Sequence, residues 1–251
     1  MKIDLNCDLG ESFGNYRIGE DEAIMPLITS ANIACGLHAG DPAVMDKTVK
    51  LAQTYEVNVG AHPGYPDLQG FGRRNMDLGP EEIEQYILYQ LGALAAFAKA
   101  HHVEMVHVKP HGALYNQAAA NHSIASAIAK AVAWFSSQLI LVGLAGSLLI
   151  EAGIEAGLRT GNEAFPDRAY NPDGSLRSRR LPGAVLDDPV EVANHALTLV
   201  RNGIIISAGS QTKTIPVDTL CLHGDHLLAV QNANALRSAL ESNGIMIARM
   251  I

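Results

Sequence analysis

The sequence predicts a single α/β barrel, with parallel strands inside and helices outside. Three observations point there. Short β-branched runs alternate with longer helical runs along the chain, which implies a parallel sheet with right-handed crossovers. The strands have one apolar and one polar face, whereas a strand packed between two helix layers is apolar on both. No Pro- or Ser-rich linker divides the 251 residues, so the length is read as one barrel domain over residues 1–251.

The first strand, Lys2–Cys7, sets Ile3, Leu5 and Cys7 against Asp4, Asn6 and Asp8. A helix is expected over Glu20–Ile28 and a strand over Ala31–Cys35, where Ile33 and Cys35 oppose Asn32, Gly36 and His38. Pro42–Thr54 follows as a helix. Pro42 suits a first helical position, and Asp41 before it suits a cap. The strand Val57–Ala61 sets Val57, Val59 and Ala61 against Asn58, Gly60 and His62. The helix Pro80–His101 again opens on proline. Met105–Lys109 alternates Val106 and Val108 with His107, Lys109 and His111. The remaining expectations are helix His122–Ser136, strand Leu139–Leu144, helix Ser147–Ala156, strand Leu158–Glu163, helix Pro189–Asn202, strands Gly203–Ser207 and Thr219–Leu222, and helix His226–Ser242. One apolar and one polar face per strand suits a barrel with a polar lumen, although Leu139–Leu144 is apolar throughout.

Composition excludes several classes. Apolar residues make up 48% and charged residues 18%, with a net charge of −8. That balance argues against a nucleic-acid binder or an anionic-membrane binder. The longest apolar run, Leu139–Ile150, falls short of the ~20 residues that span a bilayer. Three cysteines, Cys7, Cys35 and Cys221, are too few for a disulfide scaffold and fit a reducing, cytoplasmic setting. Their expected role is as small core residues. A homo-oligomer is compatible with the sequence, which does not define one.

In parallel α/β barrels, sites lie at the C-terminal ends of the strands. The polar faces end there with Asp8, His38, His62, His111 and His223. Lys109 shares the face of His111, Glu11 follows Asp8, Asp41 follows His38, and Glu163 ends its own strand. Four of the ten histidines thus hold equivalent positions on four strands. Asp4, lying deepest, reads as structural. The candidate catalytic set is Asp8, His38, His62, Lys109, His111 and His223, with Asp8 as general base and Lys109 as an electrostatic stabiliser. Asn6, Glu11, Asp41, Arg73, Glu163 and Arg168 are the candidate substrate-binding residues. Arg73 and Arg168 lie on two long connections, Pro63–Gly79 and Pro166–Asp188, where a guanidinium can clamp carboxylate or phosphate. Three histidines and an aspartate could hold a divalent ion. Barrel metal sites often show His-x-His on one strand, and none occurs, so metal stays an open alternative without an assigned ligand set. No Gly-x-x-x-x-Gly-Lys-Ser/Thr loop is present.

Five dense segments carry a resemblance. They are Asp4-Leu-Asn-Cys-Asp-Leu-Gly-Glu-Ser-Phe-Gly14, Ser30-Ala-Asn-Ile-Ala-Cys-Gly-Leu-His-Ala-Gly-Asp41, Gly60-Ala-His-Pro-Gly-Tyr-Pro-Asp67, Val108-Lys-Pro-His-Gly-Ala-Leu-Tyr-Asn116 and Glu163-Ala-Phe-Pro-Asp-Arg-Ala-Tyr170. In these, essentially along its whole length, the chain resembles the LamB/YcsF family, the A subunits of bacterial ATP-dependent 5-oxoprolinase. The resemblance implies a distorted seven- or eight-stranded TIM-like barrel similar to the glycoside hydrolase/deacetylase superfamily. In the seven-stranded case one expected strand is peripheral, with Gly203–Ser207 the candidate. It also implies opening of 5-oxo-L-proline to L-glutamate, coupled to ATP hydrolysis and performed with two further subunits, B and C. Without a P-loop here, ATP would be bound by a partner subunit or in an unfamiliar way. Two alternatives stand beside this: a free-standing metal-dependent deacetylase or amidohydrolase, and a non-catalytic scaffold for the other subunits.

Overall fold

The computed structural model describes residues 1–178, 181–186, 188–208, 211–222 and 229–250. In chain order the elements are β1 (Lys2–Leu9), α1 (Asp21–Ile24), β2 (Ser30–Ala34), α2 (Pro42–Thr54), β3 (Asn58–His62), α3 (Pro80–Ala100), β4 (Met105–Val108), α4 (Gly112–Ala120), α5 (His122–Phe135), β5 (Ile140–Leu144), α6 (Leu148–Glu155), β6 (Arg159–Ala164), α7 (Pro189–Asn202), β7 (Ile204–Ala208), β8 (Gln211–Ile215), β9 (Thr219–Leu222), α8 (Ala229–Ser242) and β10 (Met246–Ile247).

Seven parallel strands close into a barrel in the order β1-β2-β3-β4-β5-β6-β9, and β9 pairs back onto β1. Closure registers Asp4 with Thr219 and Cys7 with Leu222. β10 adds a short parallel pairing to the start of β1. The seven-stranded form is therefore the one observed. The run from Gly203 is peripheral, because β7 pairs antiparallel with β8 in a separate two-stranded sheet.

Local chemistry accounts for the helix boundaries. Asp41 and Asp188 cap α2 and α7, accepting from the backbone N–H groups of Val44 and Val190. Glu82 reaches back to the N–H of Gly79 ahead of α3. The expected helix over Glu20–Ile28 is cut short. After one α-helical turn it continues only as a 3₁₀ turn over Met25–Leu27, because Pro26 has no N–H to give. Helix α4 is an element the sequence pattern does not reveal. It begins at Gly112 with φ 55 and no side-chain cap.

The strand alternation sorts two cores. Outward-facing Leu5, Cys7, Ile33, Val59, Val108 and Leu141 pack under the helices with Val49, Ile87, Leu91, Ile128 and Leu236. Inward-facing polar residues fill the lumen in layers. At the bottom, the Asp4 carboxylate accepts from Thr29, Ser30 and Thr219 at 2.8, 2.7 and 2.5 Å. Burial nevertheless pushes this carboxyl up, against those hydroxyls. In the middle, Asn32 donates to Asn6 at 2.7 Å, and the His107 ring Nε2 meets Asn32 Oδ1 at 2.7 Å. His107 is brought down to about 3, chiefly by burial and then by Lys109.

This middle layer depends on Gly60, which is paired in register with His107 on the next strand. A Cβ at Gly60 would fall inside the His107 imidazole. Gly60→Ala should therefore destabilise the chain by about 1–3 kcal/mol, and adding His107→Ala should restore part of the loss. Thermal melts of the three variants measure this; a Gly60→Ala melt equal to the parent's would contradict the packing.

Candidate active site

The C-terminal strand ends open onto a cavity of about 260 Å³, whose lining includes Asp8, His62, Arg73, Lys109, His111, Tyr115, Phe165 and Arg168. A larger hollow of about 530 Å³ lies beside it, near Ser147 and Leu176, and another of that volume opens at the opposite end of the barrel around Lys2, Arg159 and Met250. Among the described residues, neither is lined by a histidine.

Lys109 anchors the site. It follows β4, points into the lumen and is 2% exposed. Its Nζ lies 2.9 Å from Asp8 Oδ1 and 2.8 Å from Glu163 Oε1, and it also donates to Asn6 Oδ1 at 3.2 Å and Cys221 Sγ at 3.1 Å. Burial opposes the ammonium, but the Asp8 and Glu163 carboxylates outweigh it and hold Lys109 well above the ordinary lysine value. The lysine is a fixed cation. Glu163 is braced from its other side by the Tyr115 hydroxyl at 2.7 Å. Burial and Glu163 push that phenol well up, so it remains a donor.

Asp8 joins two halves of the site. Its Oδ1 accepts from Lys109 and, at 2.9 Å, from Asn32, while its Oδ2 lies 3.3 Å from His62 Nε2. Burial alone would raise this carboxyl. His62 and Lys109 together overcome burial and hold it well below the usual carboxylate range. The side chain keeps 17% exposure toward the cavity, so an ionised carboxylate is accessible to water there.

The other half is imidazole. His62 Nδ1 lies 2.7 Å from the Lys109 carbonyl and His111 Nε2 lies 2.8 Å from the Phe71 carbonyl. His62 Nε2 and His111 Nδ1 face each other at 2.9 Å. His38 stacks on His111 with ring centroids 3.9 Å apart, and Glu11 Oε1 lies 3.8 Å from His111 Nδ1. Gly72, at φ 63, lets the loop pass over this stack. A Cβ there would strike both His111 and His38.

Asp8, His38, His62, Lys109 and His111 thus converge as the strand ends imply. Glu163 joins Lys109, Asn6 lies just beneath it, and Glu11 joins the histidines. Arg73 and Arg168 stand in the cavity wall, with Arg73 over the Phe71 ring at 4.9 Å. His223 lies outside the described residues, as do His226, Arg179 and Arg180. Asp41 is a correction. Its carboxylate is engaged by the N–H groups of Val44 and Gly14 at 2.9 and 2.8 Å, and it caps α2 rather than lining the cavity. Tyr115 and Asn32 belong to the site, although strand-end position does not single them out. Both lie within the dense segments that carry the resemblance. Cys221 faces the lumen, but burial drives its thiol well up, which fits a neutral packing group and not a nucleophile.

The chain matches the LamB/YcsF family model over residues 3–251. It belongs to the LamB/YcsF family. It is 53% identical over 250 residues to the 5-oxoprolinase A subunit of Syntrophobacter fumaroxidans, covering 100% of this chain and 99% of that protein. It is 52% identical to the 5-oxoprolinase A subunit of Pyrococcus horikoshii, covering 100% and 98%. Among solved structures, the lactam utilization protein from Thermus thermophilus superposes with a TM-score of 0.92 at 47% identity, over 100% of both chains. The catalytic domain of a peptidoglycan N-acetylglucosamine deacetylase from Eubacterium rectale reaches 0.53 at 11% identity, over 99% and 88%; that likeness is one of fold alone.

Two substitutions separate the roles assigned to this LamB/YcsF site and its frame. Lys109→Met leaves buried Glu163 and half-buried Asp8 without their shared cation and should cost about 3–5 kcal/mol. Asp41→Ala removes a helix cap and should cost about 1 kcal/mol. Urea denaturation measures both, and a Lys109→Met variant as stable as the parent would refute the buried ion cluster.

Proposed function

We propose that this chain is the lactam-opening subunit of an ATP-dependent 5-oxoprolinase, converting 5-oxo-L-proline to L-glutamate together with B and C subunits. The observation that carries the reading is the fixed Lys109 cation beside an ionised, water-accessible Asp8 in a small cavity. The names of relatives at 52–53% identity support the substrate.

A five-membered lactam is a stabilised amide and resists water. Transfer of the ATP γ-phosphoryl group to the lactam oxygen, releasing ADP, makes the ring carbon electrophilic. Water then adds to that carbon while Asp8 takes its proton. The carbon–nitrogen bond breaks and the nitrogen leaves as an amine, taking up a proton. A second water divides the resulting acyl phosphate into glutamate and phosphate. Lys109 stabilises charge on the oxygens at the reacting carbon. Arg73 and Arg168, in the cavity wall, suit the substrate carboxylate or the phosphoryl oxygens. With no P-loop in the sequence, we place the ATP site on a partner subunit. We place the complex in the cytoplasm. The three cysteines of this chain are free, which suits a reducing compartment, and no helix among the described residues is long and apolar enough to cross a membrane.

The test is glutamate and ADP release from 5-oxoproline and ATP, by the chain alone and then with the B and C subunits. The assembled complex should release both, and Asp8→Asn should lower the rate by about 10²–10⁴-fold in protein whose melt shows it still folded at the assay temperature. No ATP-dependent glutamate under either condition would sink the reading. Amide hydrolysis without ATP would favour a free-standing amidohydrolase, and a fully active Asp8→Asn complex a scaffold.

A further inference from the structure

The imidazole half of the site is not needed for any step above, yet it is the more tightly built half. Glu11, His38, His62 and His111 are all buried, and each offers one donor atom within 4.8 Å of the others. They arrive from the ends of four strands, β1 to β4. We propose that these four residues bind one divalent transition-metal ion at the edge of the lactam cavity.

Three features of the geometry point this way. The first is ring orientation. Backbone carbonyls accept from His62 Nδ1 and His111 Nε2, so those nitrogens carry the protons. The remaining nitrogens, His62 Nε2 and His111 Nδ1, then face each other as lone pairs at 2.9 Å. Two acceptors at that distance require a cation between them, either a proton or a metal. Holding a ligating ring by a hydrogen bond from its far nitrogen to a carbonyl is the usual outer support of a metal site.

The second feature decides between those cations. A single proton shared by His62 and His111 does nothing for His38. Both ring nitrogens of His38 are buried without a hydrogen-bond partner among the described residues, a costly arrangement for a polar group. A metal ion uses that lone pair, and a proton between the other two rings leaves it stranded.

The third feature is the donor set. Three imidazoles and one carboxylate suit zinc, iron or cobalt rather than magnesium or calcium. The ion would stand next to Asp8, whose Oδ2 lies 3.3 Å from His62 Nε2, while Lys109 occupies the opposite side of that carboxylate.

The experiment is independent of lactam chemistry. The full-length chain is stripped with a chelator and titrated with Co²⁺, following the visible d–d absorption, and then with Zn²⁺ in competition. One equivalent of Co²⁺ should bind per chain and be displaced by Zn²⁺. His38→Ala and Glu11→Gln, made separately, should each weaken Co²⁺ binding at least about tenfold, and His122→Ala, on the exposed face of α5, should not. No saturable Co²⁺ binding, or binding unchanged in both cluster variants, overturns the proposal. The parent chain gives a second reading that needs no variant. On adding Zn²⁺, the ¹⁵N resonances of His62 Nε2 and His111 Nδ1 should move, with His62 Nδ1 and His111 Nε2 staying protonated. Unmoved resonances also overturn it.

Discussion

An ammonium buried inside a barrel sets the terms for everything around it. Taking Lys109 out of water is costly unless its charge and its donors are all answered. Here they are answered by Asp8 from β1, Glu163 from β6, Asn6 from β1 and Cys221 from β9. The cation therefore pins strands from different parts of the chain around one point. The layers beneath serve the same end. Asn6, Asn32 and His107 fill the lumen without adding net charge, and the Asp4 cluster closes it below. An apolar lumen would offer nothing to hold Asp8 and Glu163 on Lys109.

Asp8 divides its two oxygens between unlike neighbours. One belongs to the cationic side, with Lys109 and Asn32; the other faces His62. Rotation of that one side chain would disturb both halves. The carboxylate is fixed by neighbours on both sides rather than by either alone, which preorganises a base without burying it from the cavity. Phe71 links the loop to the imidazoles twice, through its carbonyl on His111 and through its ring edge-on to His111 and His38, and the same ring lies under Arg73. The wall that holds a candidate substrate-binding arginine is thus built onto the histidine stack.

Much of this is legible in the sequence, for a physical reason. Strand side chains alternate with period two, so Asp4, Asn6 and Asp8 have to share a face, and the same holds for His107 on β4 and Lys109 just after it. Strand ends then mark the mouth of the barrel. What alternation cannot express is which mouth residues meet. Glu11 and His38 sit in loops after their strands, and their approach to His62 and His111 depends on barrel closure and on the Gly72 loop. A His-x-His pattern places two ligands on one strand, whereas here each comes from a different one. Asp41 resembles a site residue because it follows His38, but proline at the next position makes it a cap. Helix α4 leaves no mark in the pattern because its start has no cap and a left-handed glycine. Its Tyr115, which braces Glu163, is hidden with it.

Closure between β1 and β9 has a kinetic meaning. The strand that holds Asp8 finds one of its two neighbours in the closed barrel only when Thr219–Leu222 arrives, more than two hundred residues further along the chain. Contacts so distant in sequence are formed late and slowly. Until then the lumen stays open along one seam, Lys109 remains in contact with water, and the unpaired edge of β1 is available to other chains. The ion cluster that organises the finished barrel is therefore among the last interactions to gain its full strength, so the segment that brings β9 home acts as the latch on both the fold and its chemistry.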